Sequence, residues 1–305
     1  MSMTLVILAA GRGSRYGGLK QLEPVGPHEA TLMDYTIHDA VRAGVDRVVL
    51  VIPHGLDAVF LSHLGEQFGR QIDIRCIAQT IEAVPYGYSI PPERAKPWGT
   101  AHAVLITAPL VDGPFLVANA DDFYGASSYA LLCTHLREHP NVAAVVGYPL
   151  HATLSPHGGV SRGICELDPN GFVARVREVR HIRDVQGVLE GRTEAGDRLT
   201  LSGNETVSMN LWGFGSAILP ILESDFSFPG DGRGGPRGRI PASERGQSTH
   251  RCGIAPPHGA SVRRRVVRDD VPRGYAARAP TDCRAGGGGT LSSAPRRRAG
   301  VTPCN

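Results

Sequence analysis

Residues Leu8-Ala-Ala-Gly-Arg-Gly-Ser-Arg-Tyr-Gly-Gly-Leu-Lys20 set closely spaced glycines beside two arginines and a lysine. Glycine lets a backbone approach an anion and aim several N–H groups at it, and the cations neutralise phosphate charge. Such a loop suits a nucleoside triphosphate held by its phosphates. Two standard phosphate loops do not fit. Gly11, Gly13 and Gly17 are spaced one residue too long for the dinucleotide fingerprint. Lys20 lies between Leu19 and Gln21, outside any Gly-Lys-Ser/Thr pattern. Glycines in a strand-to-helix turn are common without a ligand. The weight falls on Arg12, Arg15 and Lys20, in a chain whose other lysine is Lys96.

Two further clusters could do chemistry. Phe115-Leu-Val-Ala-Asn-Ala-Asp-Asp-Phe-Tyr-Gly125 is an apolar run ending in adjacent acids. Carboxylates at a strand end face the ligand crevice of an open α/β sheet and suit magnesium. The plainer reading is an aspartate capping the helix that begins near Ser127. Gln79, followed by Lys96-Pro-Trp-Gly-Thr-Ala-His-Ala103, is the other cluster. Gly99 opens a helix there, so its backbone can lie against a base or ribose. His102 reads as a partly buried helix histidine rather than a catalytic one.

The elements that must position these groups alternate along residues 1–150. Strands are expected at Thr4 to Ala9, Arg47 to Ile52, Ile72 to Ile77, Pro114 to Ala118 and Val142 to Tyr148. Helices are expected at Leu32 to Ala43, with Thr31 as N-cap, and at Leu56 to Phe68, Thr100 to Thr107 and Ser127 to His139. This alternation implies an α/β fold: an open, mostly parallel sheet with helices on both faces. From Gly158 the pattern turns to β. Strands at Val160 to Leu167, Phe172 to Val179 and Thr206 to Phe214 imply a small β-rich extension over the carboxyl edge of the sheet, holding a second substrate.

Leu8 to Arg15 followed by Lys20-Gln-Leu-Glu-Pro-Val25 resembles the signature loop of nucleotidyltransferases that activate sugar 1-phosphates, of the glucose-1-phosphate thymidylyltransferase-like kind. The resemblance implies a Rossmann-like fold and Mg2+-dependent transfer of NMP from an NTP, with release of pyrophosphate. It implies that Ala9, Ala10, Gly11 and Gly13 cradle the nucleotide, that Arg15 and Lys20 meet its phosphates, and that Asp121 binds the metal. Gln79, Gly99 and Thr100 would meet the base. Gly159, Glu178 and Asn210 resemble positions that hold the sugar phosphate. The family often has Glu-Lys where this chain has Glu178-Val179, so Arg175 or Arg177 would have to supply the phosphate contact. The short Arg15-to-Lys20 gap also occurs in cytidylyl- and molybdopterin-type nucleotidyltransferases, which leaves another phosphorylated acceptor open. A non-catalytic nucleotide-binding homologue is the reading from a different class.

Charge divides the chain. Residues 1–227 hold 17 Lys and Arg against 24 Asp and Glu, a net −7. Residues 228–305 hold 15 Arg against 5 acids, a net +10, with 14 glycines and 9 prolines. So few apolar residues cannot offset ordering entropy, so this tail is expected to be disordered. A one-base frame shift is a second expectation for it. Arg239 to Gln247 can be encoded so that the shifted frame reads Glu-Phe-Leu-Leu-Pro-Ser-Val-Val, an apolar helix start. The acidic main part shows no aromatic–basic interleaving, which argues against nucleic acid as a partner. No window approaches eighteen apolar residues and the start does not suit a signal peptide, so the expectation is a cytoplasmic protein with no membrane partner. Six cysteines without a C-x-x-C pair are expected to be idle thiols. A homo-oligomer is left open.

Overall fold

A computed structural model describes residues 2–11, 19–224, 226 and 264–268. Gly13 and Arg15, and the tail expectations for 228–263 and 269–305, lie outside the described residues.

Strands β1 (Thr4–Leu8), β2 (Arg47–Ile52), β3 (Asp73–Ala78) and β4 (Phe115–Asn119) form a parallel sheet in the order β3-β2-β1-β4. Helices α1 (Leu32–Arg42), α2 (Asp57–Phe68), α3 (Thr100–Leu105) and α4 (Ala126–Glu138) alternate with them. β5 (Ala143–Pro149) completes this half. Successive side chains of a strand point to opposite faces, and the core divides accordingly. Leu5, Ile7, Val48, Leu50, Leu116 and Ala118 pack with α1, α2 and α4. Val6, Val49, Val51, Phe115 and Val117 pack on the other face with α3 and α5 (Ile218–Ser224). Unbroken Val/Ile/Leu runs are therefore required in β1, β2 and β4, because both faces are covered.

The β-rich part differs from expectation in three respects. β6 (Val160–Leu167) falls where it was read, but β7 runs from Val173 to Val185 and continues into β8 (Val188–Arg192) and β9 (Arg198–Leu201). The β7–β8 turn is Gln186-Gly187, with φ of 57° and 85°. That is the turn geometry a two-residue hairpin favours, but glutamine is a poor sequence signal for it. Second, Thr206 to Phe214 joins the extension to the main sheet: as β10 it pairs antiparallel with β4 and β5, and through Val207 and Ser208 with β6. Third, β11 (Arg264–Arg268), inside the arginine-rich tail, pairs parallel with β5 through Val145–Val266 and Val146–Val267. Two adjacent β-branched residues suffice for an edge strand when a partner edge is present; nothing in the flanking sequence announces that partner.

Thr31 caps α1 as expected. Its Oγ1 accepts from the Asp34 amide (3.3 Å), and an Asp34 carboxylate oxygen accepts from the Thr31 amide (2.7 Å) and hydroxyl (2.9 Å). The same carboxylate reaches His63 on α2 at 2.8 Å. One buried acid thus ties two helices. Cys133 and Cys165 are buried, and burial pushes their thiols up to about 11 and about 12, which keeps them protonated and unreactive. Replacing Asp34→Ala removes a buried acceptor and strands three donors. The expected loss is about 2–3 kcal/mol, read as a lower urea midpoint at unchanged slope.

Candidate functional site

The site lies where the parallel strands end. Ala9 continues β1 by donating its amide to Val51 O at 2.8 Å, and Ala120 donates to Leu8 O at 3.3 Å. The backbones of Ala9 and Ala10 therefore leave the sheet beside the segment that follows β4. Beyond Gly11 the chain re-enters at a 3-10 turn, Lys20–Leu22. Gln21 Nε2 donates to Gly11 O at 2.7 Å and fastens the two ends of the glycine loop together. This was not legible beforehand, since a glutamine after the lysine has no distinctive spacing.

Lys20 Nζ lies 3.1 Å from Asp121 Oδ2, with the two side chains 38% and 21% exposed. An ion pair this open contributes only about 0–1 kcal/mol. It can be exchanged for contacts to a ligand at small cost. The neighbouring acid turns elsewhere. Asp122 Oδ2 accepts from Asn119 Nδ2 at 2.7 Å. The two acids follow β4 in the turn after Asn119 and take different partners there. No group of three or more His, Cys, Asp or Glu residues gathers into a metal cluster among the described residues.

Gln79 and Gly99 are brought together. Gln79 Nε2 donates to Gly99 O at 3.1 Å and also lies 3.1 Å from His102 Nδ1. His102 Nε2 donates to Ala83 O at 2.5 Å. These contacts describe a neutral imidazole protonated on Nε2. Both Gln79 amide hydrogens are thereby used, leaving Oε1 to accept from a ligand. His102 is 1% exposed, and burial holds its pKa below the usual value. The reading of His102 as a structural helix residue agrees with this position. The connection 80–98 packs under α3: Trp98 Nε1 donates to Ile81 O at 2.8 Å, Arg94 stacks 3.8 Å over the Trp98 ring, and Phe226 stacks on His102 at 5.4 Å.

In the β-rich part, Gly159 is a close approach. A Cβ there would stand 3.1 Å from the His181 Cα. Glu178 is buried and gripped by Arg180 through two contacts, 3.0 and 3.2 Å. The basic partner of Glu178 is therefore Arg180, two residues along the same strand face. Arg177 instead lies 3.4 Å from Glu166. Asn210 is buried with φ of +69°, in an irregularity of β10 between Ser208 and Trp212. Asparagine is one of the few residues that adopt this conformation readily.

Residues 5–167 match the family model described as MobA-like NTP transferase domain. No curated protein sequence matches the chain. Among solved structures, a UDP-glucose pyrophosphorylase complexed with UDP-glucose is 17% identical, with a TM-score of 0.44 over 73% of this chain and 79% of that one. A Bacillus anthracis protein designated a glucose-1-phosphate thymidylyltransferase, in complex with sucrose, is 14% identical, with a TM-score of 0.48 over 73% of this chain and 75% of that one.

The state of His102 sets a pH dependence. Its folded pKa is depressed, so the unfolded chain binds the proton more readily. Stability is then lost as pH falls below the unfolded value of about 6.5. Urea midpoints between pH 7.5 and pH 5 should fall less steeply for His102→Gln than for the parent chain.

Proposed function

This chain belongs to the MobA-like NTP transferase domain family, and from that premise we propose that it transfers a nucleoside monophosphate from an NTP to a sugar 1-phosphate, releasing pyrophosphate. The observation that carries the proposal is the pairing of Lys20, on the 3-10 turn Lys20–Leu22, with Asp121, two residues past the carboxyl end of β4. Two further contacts support it: Gln21 holds Gly11 at the start of the glycine-rich segment, and Gln79 holds Gly99 at the start of α3. A cation and a carboxylate close together, each partly open to solvent, suit a triphosphate and its counter-ion.

The step is an in-line displacement. A phosphate oxygen of the sugar 1-phosphate attacks the α-phosphorus, a new P–O bond forms, and the bond to the bridging α–β oxygen breaks. The electron pair leaves with pyrophosphate. A phosphate monoester is already an anionic nucleophile, so no protein base is needed. The chain's task is positioning and neutralisation. In this reading Arg15 and the amides of Gly11 and Gly13 hold the β- and γ-phosphates, and Lys20 neutralises charge near the α-phosphate. The backbone at Ala9 and Ala10 borders the ribose. Gln79 Oε1 accepts from the base, with Gly99 and Thr100 beneath it. Gly159, Glu178 and Asn210 face the sugar phosphate.

Magnesium fits this donor set, because it keeps several waters and is commonly held by one or two carboxylates together with substrate phosphates. Asp121 is the protein ligand in this assignment, and the bound ion would supply further neutralisation of phosphate charge.

The test is pyrophosphate release with each NTP, magnesium, and glucose, galactose and mannose 1-phosphates. Turnover with one pair is expected. Asp121→Asn should lower kcat at least 100-fold with a smaller loss of NTP affinity, and Lys20→Ala should lower kcat/KM by a similar factor. NTP binding without turnover on sugar 1-phosphates, but with turnover on another phosphorylated acceptor, would replace the sugar reading by the cytidylyl- or molybdopterin-type one. Binding with no turnover on any acceptor would leave a non-catalytic nucleotide-binding protein.

A further inference from the structure

Three side chains at the end of β4 form a directional chain. Asn119 Nδ2 donates to Asp122 Oδ2 at 2.7 Å, and Asn210 Nδ2 donates to Asn119 Oδ1 at 2.7 Å. Asn210 Oδ1 is buried and has no hydrogen-bond partner among the described residues, and Asn210 itself is only 7% exposed. An amide can present either end to a neighbour, so two amides in series have no direction of their own. A carboxylate can only accept. Asp122 therefore forces Asn119 to turn its NH2 group toward it. The Asn119 oxygen must then face Asn210, and Asn210 must answer with its own NH2. What remains is one oxygen, buried and unpaired.

We propose that Asp122 and Asn119 are positioning residues that fix Asn210 as an acceptor, so that the site selects a substrate bearing a hydrogen-bond donor, a sugar hydroxyl, at this point. The identity of the donor as a sugar hydroxyl rests on the nucleotidyltransferase reading above; the polarity of the chain does not. The backbone supports the same geometry. Tyr124 Oη accepts from the Asn119 amide at 3.0 Å and donates to Met209 O at 3.1 Å, so β4 and β10 are clamped where the two asparagines meet. A buried acceptor left unpaired is costly, and a ligand hydroxyl removes that cost. A ligand offering only a lone pair or a methylene there does not.

Two measurements test this. The first uses the protein without substrate: scalar couplings across hydrogen bonds, read on 15N- and 13C-labelled protein. Coupling from Asn210 Nδ2 to Asn119 Cγ and from Asn119 Nδ2 to Asp122 Cγ is expected. Coupling in the opposite direction, or none, overturns the proposal. The second compares kcat/KM for the accepted sugar 1-phosphate with its singly deoxygenated analogues. One analogue should be roughly tenfold or more worse for the parent chain. In Asp122→Asn the chain can run either way, and that penalty should shrink severalfold while the KM for NTP moves less than twofold. A merely structural role would lower activity on all the analogues alike, and an unchanged penalty in Asp122→Asn overturns the proposal. If no sugar 1-phosphate turns over while the couplings run as expected, the sugar reading fails and the acceptor polarity of Asn210 stands.

Discussion

β10 has to satisfy hydrogen bonds along both edges while changing neighbours halfway along its length, and the site is built on that change. Its first half, Val207 and Ser208, lies between β5 and β6. Its second half, Trp212 to Phe214, lies between β5 and β4. Along its other edge β10 stays with β5, and the register of that pairing shifts between Ser208 and Trp212. Bulges of this kind re-aim side chains at sheet ends. Asn210 occupies the irregularity in a left-handed conformation, opposite the last residue of β4. The same fork that lets the β-rich part join the sheet thus delivers Asn210 to Asn119 and, through it, to Asp122.

The surrounding packing makes that fork rigid. Trp212 and Phe214 are fully buried and stacked at 5.9 Å, with Phe115 beside Phe214 at 5.7 Å. Buried aromatic pairs of this kind add about 0.5–1.5 kcal/mol beyond the area they bury. Gly213 has no room for a side chain, since a Cβ would meet Leu132 and Leu136 of α4 at 3.0 Å. By contrast the Lys20–Asp121 pair is open and weak. The core therefore holds the scaffold, and the charged groups at its rim keep the freedom to exchange partners.

Much of the fold was legible because hydrophobic runs and their spacing report burial directly. The positions of β1, β2, β4, α1 and α2 follow from residues that must be apolar to lie between two layers. The elements that escaped have physical reasons. β7 beyond Val179 carries Arg180, Arg183 and Asp184 in a half-exposed ribbon, so alternation is masked by charge. β11 exists only because β5 offers it an edge. The Arg180–Glu178 grip joins two residues of one strand face that extends past Val179, where the charged run hides the strand.

By itself the sequence determined the residue types at the rim: a glycine loop with cations, paired acids after an apolar strand, and a glutamine and glycine beside a helix start. Those choices are local, and the chemistry of each group is a property of its side chain. Only the tertiary structure decided which acid faces Lys20, which faces Asn119, and which end of the Asn210 amide stays without a partner among the described residues. Asp121 and Asp122 are adjacent and chemically identical, so composition alone gives them no different partners. Their roles separate because Asn119 and Asn210, 91 residues apart in the chain, meet where β10 leaves one strand for another.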